Sequence, residues 1–160
     1  MHSLTKILPF LVYLTAQAQF NWDSYKPATM DTLRIIHSKL LEIDSTQNGD
    51  VDIRISRESH KYRILVGYSD SIRQMRSEIK KICDFWISGV IQKPEMKKAY
   101  LHEVLLQIEG KYYWMPIQES LVSYLKNDLT KGSKFYIYVI LIGSIYDELI
   151  FSINEFKIKS

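Results

Sequence analysis

A chain of 160 residues, 46% of them hydrophobic, is long enough to bury a core of its own and too short for several independent ones. Its formal charge of +3 is mild, and no Lys/Arg run exceeds two residues, as in Lys80-Lys81 and Lys97-Lys98. That excludes the concentrated basic face of a purely electrostatic nucleic-acid binder, and the single Cys83 excludes an internal disulfide.

The chain opens with Lys6, then the short apolar run Ile7–Leu14, then Ala16-Gln17-Ala18. A positive start, an apolar stretch too short to span a bilayer and small residues at the two positions a peptidase reads predict a cleavable signal peptide over 1–18. Pro9 argues against a buried N-terminal helix instead. The expected mature chain starts at Gln19 and is secreted or periplasmic, without a transmembrane span. No Cys at the junction offers a lipid tether.

After an aromatic lead-in over 20–27, Leu33, Ile36, Leu40 and Ile43 repeat at helical spacing and predict a helix from Met30 to Ile43, capped by Thr29 or Asp31. A polar turn at 45–50 ends it. Val51–Ser56 alternates apolar and polar, and Lys61–Tyr68 alternates again. With the polar Arg57–His60 between them, they predict a hairpin. Ser69-Asp70-Ser71 then signals a helix start. Ile72, Met75, Ile79, Ile82, Cys83 and Trp86 form its apolar stripe, which places Cys83 inside as a small hydrophobe. Ser88-Gly89 ends this helix, and the loop around Pro94 (92–95) marks a possible subdivision of one domain over 19–160.

A second hairpin is predicted from Leu101–Ile108, the turn Glu109-Gly110-Lys111 and Tyr112–Ile117. Glu119–Leu129 is a short amphipathic helix. Lys134–Gly143 is β-branched and aromatic on both faces, which predicts a central strand covered on both sides, and Leu149–Asn154 returns beside it. The order α-β-β-α-β-β-α-β-β predicts an α+β fold: an antiparallel sheet of hairpins with about three packed helices. The last hairpin-helix-hairpin is compatible with a small partly closed barrel of OB-like type, and equally with an open, curved sheet.

The residues offer little chemistry of known spacing. His37, His60 and His102 fall on separate elements, and no His-x-x-x-His or Cys-x-x-Cys supports a metal site. No Gly-x-Ser-x-Gly, Walker loop or Gly-x-Gly-x-x-Gly occurs, so no cofactor is expected. His102 and Glu103 are adjacent on a strand and point to opposite faces; an ordinary surface pair is the expectation. The constellation above background is aromatic. Tyr112, Tyr113 and Trp114 follow Lys111, and Phe135, Tyr136 and Tyr138 follow Lys134. On adjacent strands Lys111, Tyr112, Trp114, Tyr136 and Tyr138 would form a stacking platform for bases or sugar rings; otherwise the rings are core. The expected function is an exported, non-catalytic binding module whose partner is another protein or an oligomeric ligand. The alternatives are a small secreted hydrolase using His60 or His102 as base, and a structural subunit of a cell-envelope assembly, marked by an exposed strand edge.

Overall fold

The computed structural model describes residues 20–41 and 52–159. The leader and the polar turn at 45–50 lie outside the described residues. The lead-in makes one tight turn, Trp22–Ser24, and a two-residue strand β1, Lys26–Pro27. Helix α1, Met30–Ile36, starts where Thr29 accepts the Thr32 N–H on its hydroxyl at 3.2 Å. It is shorter than its periodicity predicts. The chain tightens into a 3-10 turn at Ser38–Leu40, so Met30, Leu33 and His37 point inward while Ile36 is exposed.

The largest departure from the sequence pattern is strand β2, Ile53–Gln74, a single strand of 22 residues. The predicted hairpin and the predicted helix start at Ser69 are both replaced by it. Arg57–His60 contains no Gly, Pro or Asn to reverse the chain. The excess residues are absorbed as a register shift against β5 between Ile55 and His60. Ser69-Asp70-Ser71 is a second bulge, with Asp70 at φ 61° and a register shift against β3 between Tyr68 and Ile72. Polar interruptions mark both bulges and chain reversals, and here the strand runs on.

Helix α2, Ser77–Trp86, buries Ile79, Ile82, Cys83 and Trp86. It does not stop at Ser88-Gly89 but widens into one π turn, Ile87–Ile91, closed by Gln92 in the left-handed region. Pro94 opens a 3-10 stretch to Ala99. Strands β3, His102–Ile108, and β4, Lys111–Ile117, form the expected hairpin. Its turn residues Glu109 and Gly110 both have positive φ, as a primed two-residue turn requires. Helix α3, Glu119–Asp128, leads to β5, Lys134–Ile145, and β6, Glu148–Ile158.

Helices and one six-stranded sheet therefore make a mixed α+β fold. The strand order is β1-β2-β3-β4-β6-β5, and β2 also pairs with β5, so the hydrogen-bonded neighbours run round a ring. Closure is uneven. β2 and β5 pair from Ile53↔Ile145 to Gly67↔Lys134, whereas β4 and β6 meet in parallel only at Ile117↔Ile153. Gly143 sits where the β2 bulge crosses β5. A Cβ there would lie 2.1 Å from the Arg54 carbonyl oxygen, so no side chain fits.

The alternation of β5 sorts the apolar residues into two cores. Phe135, Ile137, Val139 and Leu141 face the inside of the ring with Val66, Leu106, Ile117 and Phe151, and Leu33 of α1 and Leu125 of α3 complete that cluster. Ile140 and Ile142 face outward into a second core under Ile79, Ile82 and Trp86 of α2. α2 covers only one end of the outer face, leaving the rest of that face to carry the site.

Candidate functional site

The five residues expected to form one platform are divided. Tyr112 and Trp114 lie on the outer face of β4, and register puts Trp114 opposite Leu105 and Tyr112 opposite Gln107. Lys111 alternates to the other face. Tyr136 and Tyr138 lie on the outer face of β5, which pairs with β2 and β6 and not with β4. The two aromatic groups are therefore separate surfaces, because β6 lies between β4 and β5, the strands that carry them.

On the β5 side, Tyr138 is 3% exposed and forms the floor. The lead-in walls it: Trp22 and Tyr25 meet it edge-on at 4.5 and 5.4 Å between ring centroids, with Phe20 at 5.7 Å. Most of the Tyr138 ring is spent on this packing, so it offers the recess only a sliver of surface. Tyr136 stays partly exposed beside it. Cross-strand register brings Arg63 opposite Tyr138 and Lys157 opposite Tyr136, and the Arg63 guanidinium lies 5.3 Å over the Tyr136 ring. Lys157 stands 5.8 Å over Trp22 and Lys61 5.7 Å over Tyr25. Arg63, Tyr136, Tyr138, Lys157, Ile158 and Lys159 line a recess of about 230 Å³. Among the described residues the salt bridges include none of Lys61, Arg63, Lys134, Lys157 or Lys159. The nearby carboxylate of Glu155 accepts the Phe156 N–H at 3.0 Å.

A polar chain braces this floor from beneath. Gln118 donates to the Tyr100 hydroxyl at 3.0 Å, that hydroxyl donates to Asn154 Oδ1 at 3.2 Å, and Asn154 Nδ2 donates to the Tyr25 hydroxyl at 3.4 Å. Burial raises the pKa of both tyrosines above the ordinary range, and the hydrogen bond from Asn154 offsets part of that for Tyr25. Both stay neutral donors and acceptors at physiological pH.

The β3–β4 face is built differently. Glu103, on the outward side of β3, is 0% exposed. The expected ordinary surface pair with His102 is overturned: Glu103 instead takes Arg73 at 3.2 Å, Arg76 at 3.1 Å and the Arg76 backbone N–H at 3.1 Å. A carboxylate can be buried here because three donors replace its water. Desolvation works against the Arg76 charge, yet the hydrogen bond and charge of Glu103 hold its pKa above the ordinary value. Arg73 then lies 3.9 Å over the Trp114 ring. The indole's open face is thus occupied by an arginine already held from below by a buried carboxylate.

Two His–carboxylate pairs exist. His102 Nδ1 lies 2.6 Å from Glu119 Oε2 on open surface. His60 Nε2 lies 3.2 Å from Glu58 Oε2, and both line a recess of about 420 Å³ that His37 also borders. The His37 and His60 rings are 4.7 Å apart, and His37 Nε2 is 2.7 Å from the Tyr62 hydroxyl. Burial, then the neighbouring His60, pulls the His37 pKa below its ordinary value. Cys83 is buried among apolar residues, and burial pushes its thiol up to about 12. It is not a thiolate at neutral pH and packs as a small hydrophobe.

Sequence reasoning missed Arg63, Lys61, Lys157 and Lys159. The alternation of Lys61–Tyr68 places Lys61 and Arg63 on one side of the strand. The signal lacking was long-range: which strand lies beside β2. Comparison with protein-family models, with curated proteins and with solved structures found no match to this chain.

Proposed function

We propose that the chain is an exported, non-catalytic binding module that holds an anionic, ring-bearing oligomer on the β2–β5–β6 face. The observation that carries this reading is the recess at Tyr136. Three cations and two tyrosine rings line it, and no carboxylate does. Stacking on a ring tolerates any flat unit, while unpaired cations hold a charged backbone. Arg63 and Lys157 flank Tyr136 at positions fixed by sheet register, so little side-chain ordering is required on binding.

The ring of strands supports a finer reading as a small partly closed barrel of OB-like design. Without β1, its order is first-second-third-fifth-fourth, with α3 between the third and fourth strands. Such barrels present ligands to the face of the second and third strands. Here that face is β3–β4, where Arg73 already covers Trp114 and is tied to the buried Glu103. The cations without a salt-bridge partner among the described residues lie on the opposite side, and we place the ligand there. Export rests on the leader pattern of residues 1–18, and N-terminal sequencing of the released protein should begin at Gln19.

The test is titration of the purified chain with an oligothymidylate and, separately, with an oligouronate, following the change in tryptophan emission, to which Trp22 contributes beside Lys157. Tyr136→Ala is expected to weaken the bound arm about tenfold, the value of one stacked ring. Equal affinity of Tyr136→Ala and the unaltered chain for both oligomers, or no binding of either, sinks the reading.

A second reading has one observation in its favour. His60 with Glu58 is a histidine within hydrogen-bond reach of a carboxylate inside a recess, as a general base requires. Hydrolysis of p-nitrophenyl ester or phosphate that is abolished by His60→Ala would establish it; activity indifferent to that change would remove it.

A further inference from the structure

Strand β6 has two unlike edges. One pairs with β5 along its length, from Ile145↔Glu148 to Phe135↔Ile158. The other meets β4 at Ile153 alone, so among the described residues Asn154–Ile158 has no strand on that side. Unpaired strand edges are templates for another strand. This one runs along a groove of about 660 Å³ floored by Phe156 and walled by Trp22, Leu121 and Tyr124. Phe156 packs from above on the edge-on ring of the buried Phe135 at 5.8 Å.

We infer that this edge pairs with the same edge of a second copy, making a two-fold dimer with its axis at Phe156. The argument is register. Antiparallel self-pairing centred on Phe156 sets Glu155 opposite the partner's Lys157, and Lys157 opposite the partner's Glu155. Both ion pairs form by symmetry, and in the dimer Arg63 and Lys159 remain, among the described residues, the unpaired cations at the Tyr136 recess. Sliding two residues either way sets Glu155 against its own copy, or Lys157 against its own copy. Sliding by one puts the apolar Phe156 against a charged position. Only the Phe156-centred register satisfies charge and face together. In the single chain the Glu155 carboxylate accepts the Phe156 N–H at 3.0 Å, which shields the edge. Pairing exchanges that amide for a partner carbonyl and releases the carboxylate to the facing lysine, so no donor is lost.

The test is sedimentation of the purified chain over about two decades of concentration. The expected mass rises from one chain toward two. Glu155→Lys makes both cross-axis pairs Lys against Lys, and Lys157→Glu makes them Glu against Glu. Each is expected to weaken association about tenfold or more. The double exchange Glu155→Lys/Lys157→Glu restores opposite charges across the axis and is expected to return association to near the starting value. A chain that stays single at every concentration overturns the inference. So does a dimer indifferent to the single changes, or one that the double exchange fails to restore. Circular dichroism of each variant confirms that the fold is kept. Tyr136→Ala is expected to leave the dimer intact, so failure here and failure of oligomer binding are read independently.

Discussion

Two regions of the sheet's outer face carry similar residues and do different things with them. On β3–β4, Trp114 has an arginine over its ring, and that arginine is tied to a buried carboxylate, Glu103. On β2–β5–β6, Tyr136 also has an arginine over its ring, but Arg63 has no ion-pair partner among the described residues. The first arrangement is closed on itself and contributes to stability. The second leaves its cation without a partner, as the proposed binding of an anionic oligomer requires. Aromatic and basic residues at the right spacing do not by themselves distinguish the two; the buried acceptor beneath them does.

The contrast can be broken first at Glu103. Glu103→Ala leaves Arg73, Arg76 and the Arg76 amide without their acceptor, and about 2–3 kcal/mol of unfolding free energy should be lost in urea titrations. Oligomer binding should be unchanged. A loss well below 1 kcal/mol would mean that water replaces the carboxylate at no cost.

Next in size is Arg63→Ala. Affinity for the oligomer should fall about tenfold and the logarithmic salt slope by about 1, with stability within about 0.5 kcal/mol of the parent. An unchanged salt slope would mean Arg63 does not touch the anionic backbone. Trp114→Ala tests the closed face from the other side. It should cost about 1 kcal/mol of stability, from lost cation–ring attraction and packing, and leave binding intact. Weaker binding with unchanged stability would reverse the two assignments.

The smallest expected effect lies outside both faces, at His37. Its folded pKa is lowered, so the unfolded chain takes up a proton first as pH falls below about 6.5. The stabilising contribution is therefore complete above that pH and is lost as pH falls through the folded value. In His37→Gln this part of the slope should flatten, measured as the difference in unfolding midpoint between pH 7 and pH 5.

Local pattern carried much of the fold. The second hairpin, α3, β5 and the inward side of α2 are all readable from period and turn residues, because each is decided within about ten positions. β2 was not. Arg57–His60 and Ser69–Ser71 look like chain reversals, and only their partners, β5 and β3, make them bulges. The site shares that limit. Tyr136 was visible as an aromatic on a strand. Its partnership with Arg63 and Lys157 depends on pairings between residues far apart in sequence, and the burial of Tyr138 depends on a lead-in with no periodicity of its own.

The length of β2 also bears on how the chain comes into being. Synthesis delivers β2 early and its main partner late: Ile53 waits for Ile145, and Gly67 for Lys134. At roughly 5–20 residues per second, that edge stands open for several seconds on each new chain. Arg54, Arg57, Glu58, Lys61 and Arg63 punctuate this part of the strand, so no apolar run of neighbouring chains can lie flush against it meanwhile. Arg63 would then serve twice: as a guard for an unfinished strand, and, once β5 arrives, as the charge that greets a ligand.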